Sequence, residues 1–114
     1  MRRIVVLMLA VLAIGVPVAL AAPMKGTEPE VEAEDFAFQP AKLFVRPGAA
    51  IKLENRDRAP HNVRALRLVR GKPAFQSSTI RFRGETIFRA PSAKGTYQFI
   101  CSIHPRMKGT LTVR

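Results

Sequence analysis

Gly95-Thr96-Tyr97-Gln98-Phe99-Ile100-Cys101-Ser102-Ile103-His104-Pro105-Arg106-Met107-Lys108-Gly109 is the stretch on which the reading of this chain turns. Tyr97, Phe99 and Cys101 recur with a period of two, so a strand would carry the thiol on the same side as two aromatic rings, at its inner end. Pro105 cannot continue a regular ladder, which confines His104 and Met107 to a tight loop that re-enters a last strand at Lys108-Gly109. One short loop therefore presents a thiol, an imidazole and a thioether at CxxHxxM spacing.

The same two-residue alternation extends through most of the chain, interrupted by Pro, Gly and Asn, and helical patterning is close to absent. Strands are expected at Val31 to Phe38, Leu43 to Val45, Ala50 to Glu54, Asn62 to Val69, weakly at Phe75 to Ile80, at Glu85 to Arg89, Thr96 to Cys101 and Gly109 to Val113. Seven or eight short strands at this spacing imply an all-β antiparallel sandwich or small barrel, with Leu43 and Val45, Ile51 and Leu53, Tyr97 and Phe99, and Leu111 and Val113 as inward pairs.

Upstream, Met1, Arg2 and Arg3 precede nineteen residues, Ile4 to Ala22, with no charge and no hydrogen-bonding side chain. Small residues at Ala19, Ala21 and Ala22 complete the pattern of a secretory signal peptide over residues 1–22, followed by a linker over 23–34 and one domain over 35–114. Periplasmic or otherwise exported location is the expectation; an uncleaved N-terminal helix anchoring the chain in a membrane is the alternative. The remaining residues, about 92, suffice for one core and are too few for two.

Cys101 is the only cysteine, so no disulfide forms within the chain, and an exported thiol calls for protection such as a metal. Residues 36–114 hold 16 Lys or Arg against Glu54, Asp57 and Glu85, a balance of +13, which favours anionic partners. Nucleic acid is a poor candidate for an exported chain without a recognition motif.

His61 is the other of the chain's two histidines, placed where Arg58-Ala59-Pro60 feeds a strand. Brought to the Cys101 loop, it would complete a set of His61, Cys101, His104 and Met107. A soft thiolate, two imidazoles and a thioether are the donors that serve copper in both oxidation states. Asn62 is placed to tie the two loops together and to donate toward the Cys101 sulfur.

The chain from Phe36 to Val113 resembles the blue copper proteins, or cupredoxins, of the amicyanin- and plastocyanin-like kind. Phe38-Gln39-Pro40, Val45-Arg46-Pro47-Gly48, Ile51 to Asn55 and Pro60-His61-Asn62-Val63 carry the resemblance together with the ligand loop. It implies a cupredoxin-like Greek-key β-sandwich holding one type 1 copper per chain, with His61, Cys101 and His104 as trigonal ligands and Met107 as a weak axial one. The implied role is single-electron transfer without catalysis, by a monomer that meets a redox protein, acidic at its docking surface to suit the positive charge. Lys52 stands where many relatives have an aromatic residue, the chain has no tryptophan, and Arg106 adds a charge beside the ligand histidine. A copper carrier or storage module would use the same ligands and is the alternative function.

Overall fold

A computed structural model of the chain describes Gly15 and residues 28–114. The leader assigned to residues 1–22 and the first part of the linker lie outside the described residues. Every regular element among the described residues is a strand: β1 Glu30–Glu34, β2 Ala37–Gln39, β3 Lys42–Val45, β4 Ala50–Asn55, β5 Arg64–Ala65, β6 Leu68–Val69, β7 Lys72–Pro73, β8 Glu85–Arg89, β9 Gly95–Ile100 and β10 Lys108–Val113.

Two four-stranded sheets, ordered β2-β1-β4-β8 and β3-β10-β9-β5, face one another, and β6 and β7 form a separate ribbon. Alternation builds the core: Val31 and Ala33, Ile51 and Leu53, Phe88, Tyr97 and Phe99, and Leu111 and Val113 all point inward and are buried. Leu43 is only partly buried at the margin of this core. Aromatic contacts join the sheets, with Phe99 meeting Phe38 at 5.1 Å and Phe75 at 6.0 Å between ring centroids.

The outward faces explain two oddities of the sequence. Glu30, Glu32 and Glu34 alternate with Val31 and Ala33 along β1, and Lys52 lies on the neighbouring strand between Glu30 at 3.8 Å and Glu85 at 3.4 Å. Arg56 pairs Glu32 at 2.8 Å and Glu54 at 3.6 Å. Lys52 thus faces carboxylates on both neighbouring strands, a solvent-accessible arrangement that adds little stability.

Several sequence expectations need correction. Residues 30–34, assigned to the linker, are a strand flanked by β2 and β4, because Val31 and Ala33 are fully buried. The single strand expected from Val31 to Phe38 is a hairpin, turned at Asp35 and Phe36 with φ of 53° and 56°. The stretch from Asn62 to Val69 divides into β5 and β6, and Phe75 to Ile80 contributes only isolated bridges, His61 to Ile80 and Arg64 to Gln76. The sheets are not wholly antiparallel either: β1 runs parallel to β4, and β3 to β10, since β2 and β3 are consecutive yet belong to opposite sheets.

Candidate metal centre

The loop after β9 is built from two successive reverse turns. His104 N–H donates to the Cys101 carbonyl at 3.2 Å, Met107 N–H donates to the His104 carbonyl at 2.9 Å, and Cys101 N–H closes the loop on the Met107 carbonyl at 3.1 Å. Each i-to-i+3 bond brings one donor residue back toward the previous one, which is the physical meaning of the CxxHxxM spacing. Cys101 and Met107 are buried, and His104 is partly exposed at the loop surface.

His61 arrives from the facing loop. Its backbone forms a two-bond bridge with Ile80, N–H to carbonyl at 3.1 Å and the reverse at 2.9 Å, and its side chain is fully buried. Buried Asn55 shapes the approach: its amide donates to the carbonyls of Ala59 and Ile80, and its oxygen accepts the Asp57 N–H. Asn62 then ties the loops, accepting Ser102 N–H at 2.8 Å and donating to the Ser102 hydroxyl at 2.8 Å and the Thr79 hydroxyl at 2.9 Å. Its amide donors therefore go to two hydroxyls instead of the Cys101 sulfur.

Three donor atoms converge. His61 Nδ1 and His104 Nδ1 are 3.1 Å apart, and Cys101 Sγ lies 3.8 Å from the first and 3.6 Å from the second. With metal–nitrogen bonds of about 2.0 Å and a metal–sulfur bond of about 2.3 Å, trigonal ligation separates sulfur and nitrogen by roughly 3.7 Å and the two nitrogens by roughly 3.5 Å. The residues fit a copper ion in separation, and the soft sulfur with two imidazoles fits it in chemistry. Glu30, Glu32 and Glu54 also cluster, but each already has a cationic partner, Lys52 for Glu30 and Arg56 for Glu32 and Glu54.

Asp57 and Phe36 belong to this centre and were missed in the sequence. Asp57 Oδ2 lies 2.8 Å from His61 Nε2, and a carboxylate only accepts, so the proton sits on Nε2 and the lone pair on Nδ1 faces the other donors. The same carboxylate accepts the backbone N–H of Asp35 at 2.8 Å and of Phe36 at 2.9 Å. The Phe36 ring stands perpendicular to both imidazoles, at 5.3 Å from His61 and 5.0 Å from His104. The i, i+4 offset between Asp57 and His61 was the one legible hint.

Burial pushes the Asp57 carboxyl up, but the bonds from Phe36 N–H, the His61 ring and Asp35 N–H outweigh it and hold the group below the ordinary value of 3.8. A depressed carboxyl contributes stability above its unfolded value and loses that contribution as pH falls through its folded one. The metal-free protein is therefore expected to lose stability from about pH 4 downward. Urea midpoints of Asp57→Asn should be lower at neutral pH and flatter across that window; parallel curves for the two proteins would deny Asp57 this part.

Residues 4–113 match the family model described as "Cupredoxin-like domain". Amicyanin-alpha of Methylorubrum extorquens is 30% identical over 84 residues, which span 74% of this chain and 70% of that protein. Among solved structures, the Cu(I) form of an amicyanin variant superposes with a TM-score of 0.66 at 26% identity, covering 76% of this chain and 82% of the other. The oxidised state of a second amicyanin variant matches at a TM-score of 0.66 and 25% identity with the same coverage.

Proposed function

Because this chain belongs to the cupredoxin-like domain family, we propose that it is a blue copper protein that carries single electrons between redox partners and catalyses no reaction. The observation that carries the proposal is the convergence of His61 Nδ1, His104 Nδ1 and Cys101 Sγ within 3.8 Å of one another. One type 1 copper per chain, when bound, supplies reversible one-electron chemistry between Cu(II) and Cu(I). Cys101 would hold it as a thiolate and His61 and His104 through Nδ1, and Met107, buried at the end of the loop, would add a soft thioether donor.

The protein's contribution is rigidity. His61 is fixed by Asp57 and by the Ile80 bridge, Cys101 by the loop bonds, and the loops by Asn62, so the ligands keep one arrangement through both oxidation states. Full burial of His61 and Cys101 favours electron transfer over delivery of the ion, which needs ready exchange. His104 is the partly exposed ligand, beside an apolar depression lined by Phe36, Ile103, Pro105 and Met107 with Arg106 at its margin, and serves as the port for electrons.

A redox protein with an acidic docking surface suits the charge around that port and across the second sheet, whose strands bear Lys42, Arg64 and Lys108 and no acid. The chain acts as a monomer exported by its leader; N-terminal sequencing of the secreted form should begin near residue 22 or 23, and an intact Met1 on that form would argue for the anchored alternative.

The test of the copper site is colour. Adding Cu(II) to the purified protein is expected to produce an intense visible thiolate-to-copper band with one equivalent bound. A protein that stays colourless at saturation would refute the type 1 assignment.

A further inference from the structure

Phe36 occupies a position that its own chemistry disfavours. A two-residue hairpin turn with positive φ at both positions suits Asn-Gly, yet the chain places Asp35 and Phe36 there at 53° and 56°, where a bulky L side chain crowds its backbone. Core burial does not account for it, because Phe36 remains 55% exposed. Strained positions of this kind cluster at functional sites, and this one adjoins the metal centre.

What holds the turn is the group that holds a metal ligand. Asp57 Oδ2 accepts both the Phe36 N–H at 2.9 Å and the His61 Nε2–H at 2.8 Å, while Oδ1 takes the Asp35 N–H at 2.8 Å. One oxygen thus joins the backbone of the turn to the His61 ring, with the strength of a charged acceptor. The turn in turn delivers the phenyl ring to the seam between His61 and His104, perpendicular to each at 89°. Rotation of either imidazole about its Cβ–Cγ bond would drive it toward that ring.

We propose that Phe36 is a positioning residue of the metal centre: its ring holds the two imidazoles at their binding angles and screens their nitrogens from water, with Asp57 locking the ring and His61 together. The proposal rests on the copper reading above and extends it to a residue that touches no metal. It separates the site from the stability of the fold, since the turn strains the backbone to order the ligands.

The separation makes the test sharp. Wild type, Phe36→Gly and Phe36→Tyr are loaded with copper(II) sulfate, excess EDTA is added, and decay of the visible band is followed. Phe36→Gly is expected to release copper at least tenfold faster than wild type, and Phe36→Tyr within about twofold. In the metal-free proteins, Phe36→Gly should have a thermal midpoint equal to or above that of wild type, because glycine accepts positive φ freely. The ring nitrogens of His61 and His104, followed by nitrogen-15 NMR, should pass from one sharp set in wild type to broadened or doubled signals in that variant. Release within twofold of wild type for Phe36→Gly, no rescue by Phe36→Tyr, or a midpoint that falls in step with faster release would each overturn the proposal. If wild type forms no coloured copper adduct, the copper reading fails by itself, and the metal-free spectra still decide: unchanged imidazole signals reject the positioning role, and broadened ones uphold it.

Discussion

Cys101→Ala is expected to yield a folded, colourless protein in which electron exchange falls below detection. The sulfur is the one anionic donor of the three that converge, and the remaining two are neutral imidazoles, so no charge-transfer band and no strong anchor for Cu(II) survive its removal. Folding should survive, because Cys101 is one small side chain at the end of β9 and its neighbours Tyr97 and Phe99 keep the core. Deleting a single buried heavy atom costs about 1 kcal/mol, on the scale of Ile→Val. Voltammetry and visible spectra measure the first effect, and thermal unfolding of the metal-free variant the second. A preserved redox couple in this variant would end the electron-carrier assignment, and an unfolded one would show that the thiol is structural.

Gly109→Ala should be the most destabilising small substitution in the domain. Gly109 pairs with Phe99 across β10 and β9, and a Cβ added there would lie closer than 3.0 Å to three atoms of the Phe99 ring. That ring cannot readily withdraw, being packed against Phe38 and Phe75 in the core between the sheets. Overpacking of this severity belongs at the upper end of its usual range, about 3 kcal/mol, which for a domain of this size lowers the thermal midpoint by roughly 15 °C. The site would suffer too, since Phe99 lies two residues before Cys101 and Gly109 two after Met107. A weaker copper band should accompany the lower midpoint; a midpoint within a few degrees of wild type would mean that the ring yields after all.

Much of the fold was legible where alternation is regular. β8 coincides with the expected strand Glu85 to Arg89, and β9 and β10 differ from expectation by one residue at each end or less. The hairpin at Asp35 and Phe36 was read through as one strand because Phe36 is no usual turn former, although Asp35 is one and the apolar phase shifts there, from Val31 and Ala33 to Phe36 and Phe38. Phe75 to Ile80 has strand composition and lies by the core, but it makes only two isolated bridges, Ile80 with His61 and Gln76 with Arg64, so packing overrides propensity. Parallel pairing of β1 with β4 follows from which strands cross between sheets, and no residue pattern within a strand encodes that.

At the site, the nearness of Cys101 and His104 was legible before any fold was known, because residues three apart in a reverse turn meet by local geometry alone. The approach of His61, forty residues away in sequence from Cys101, was expected from donor chemistry, and only the facing of the two sheets brings it within 3.8 Å of the thiol. The tautomer of His61 had only the i, i+4 offset of Asp57 to hint at it, and the placement of the Phe36 ring was beyond the sequence altogether. That ring depends on Asp57 meeting a turn 21 residues earlier, a contact fixed by how β1, β2 and β4 assemble. Short-range turns are written into neighbouring residues, whereas contacts between distant loops exist only once burial of the core has set the sheets in place.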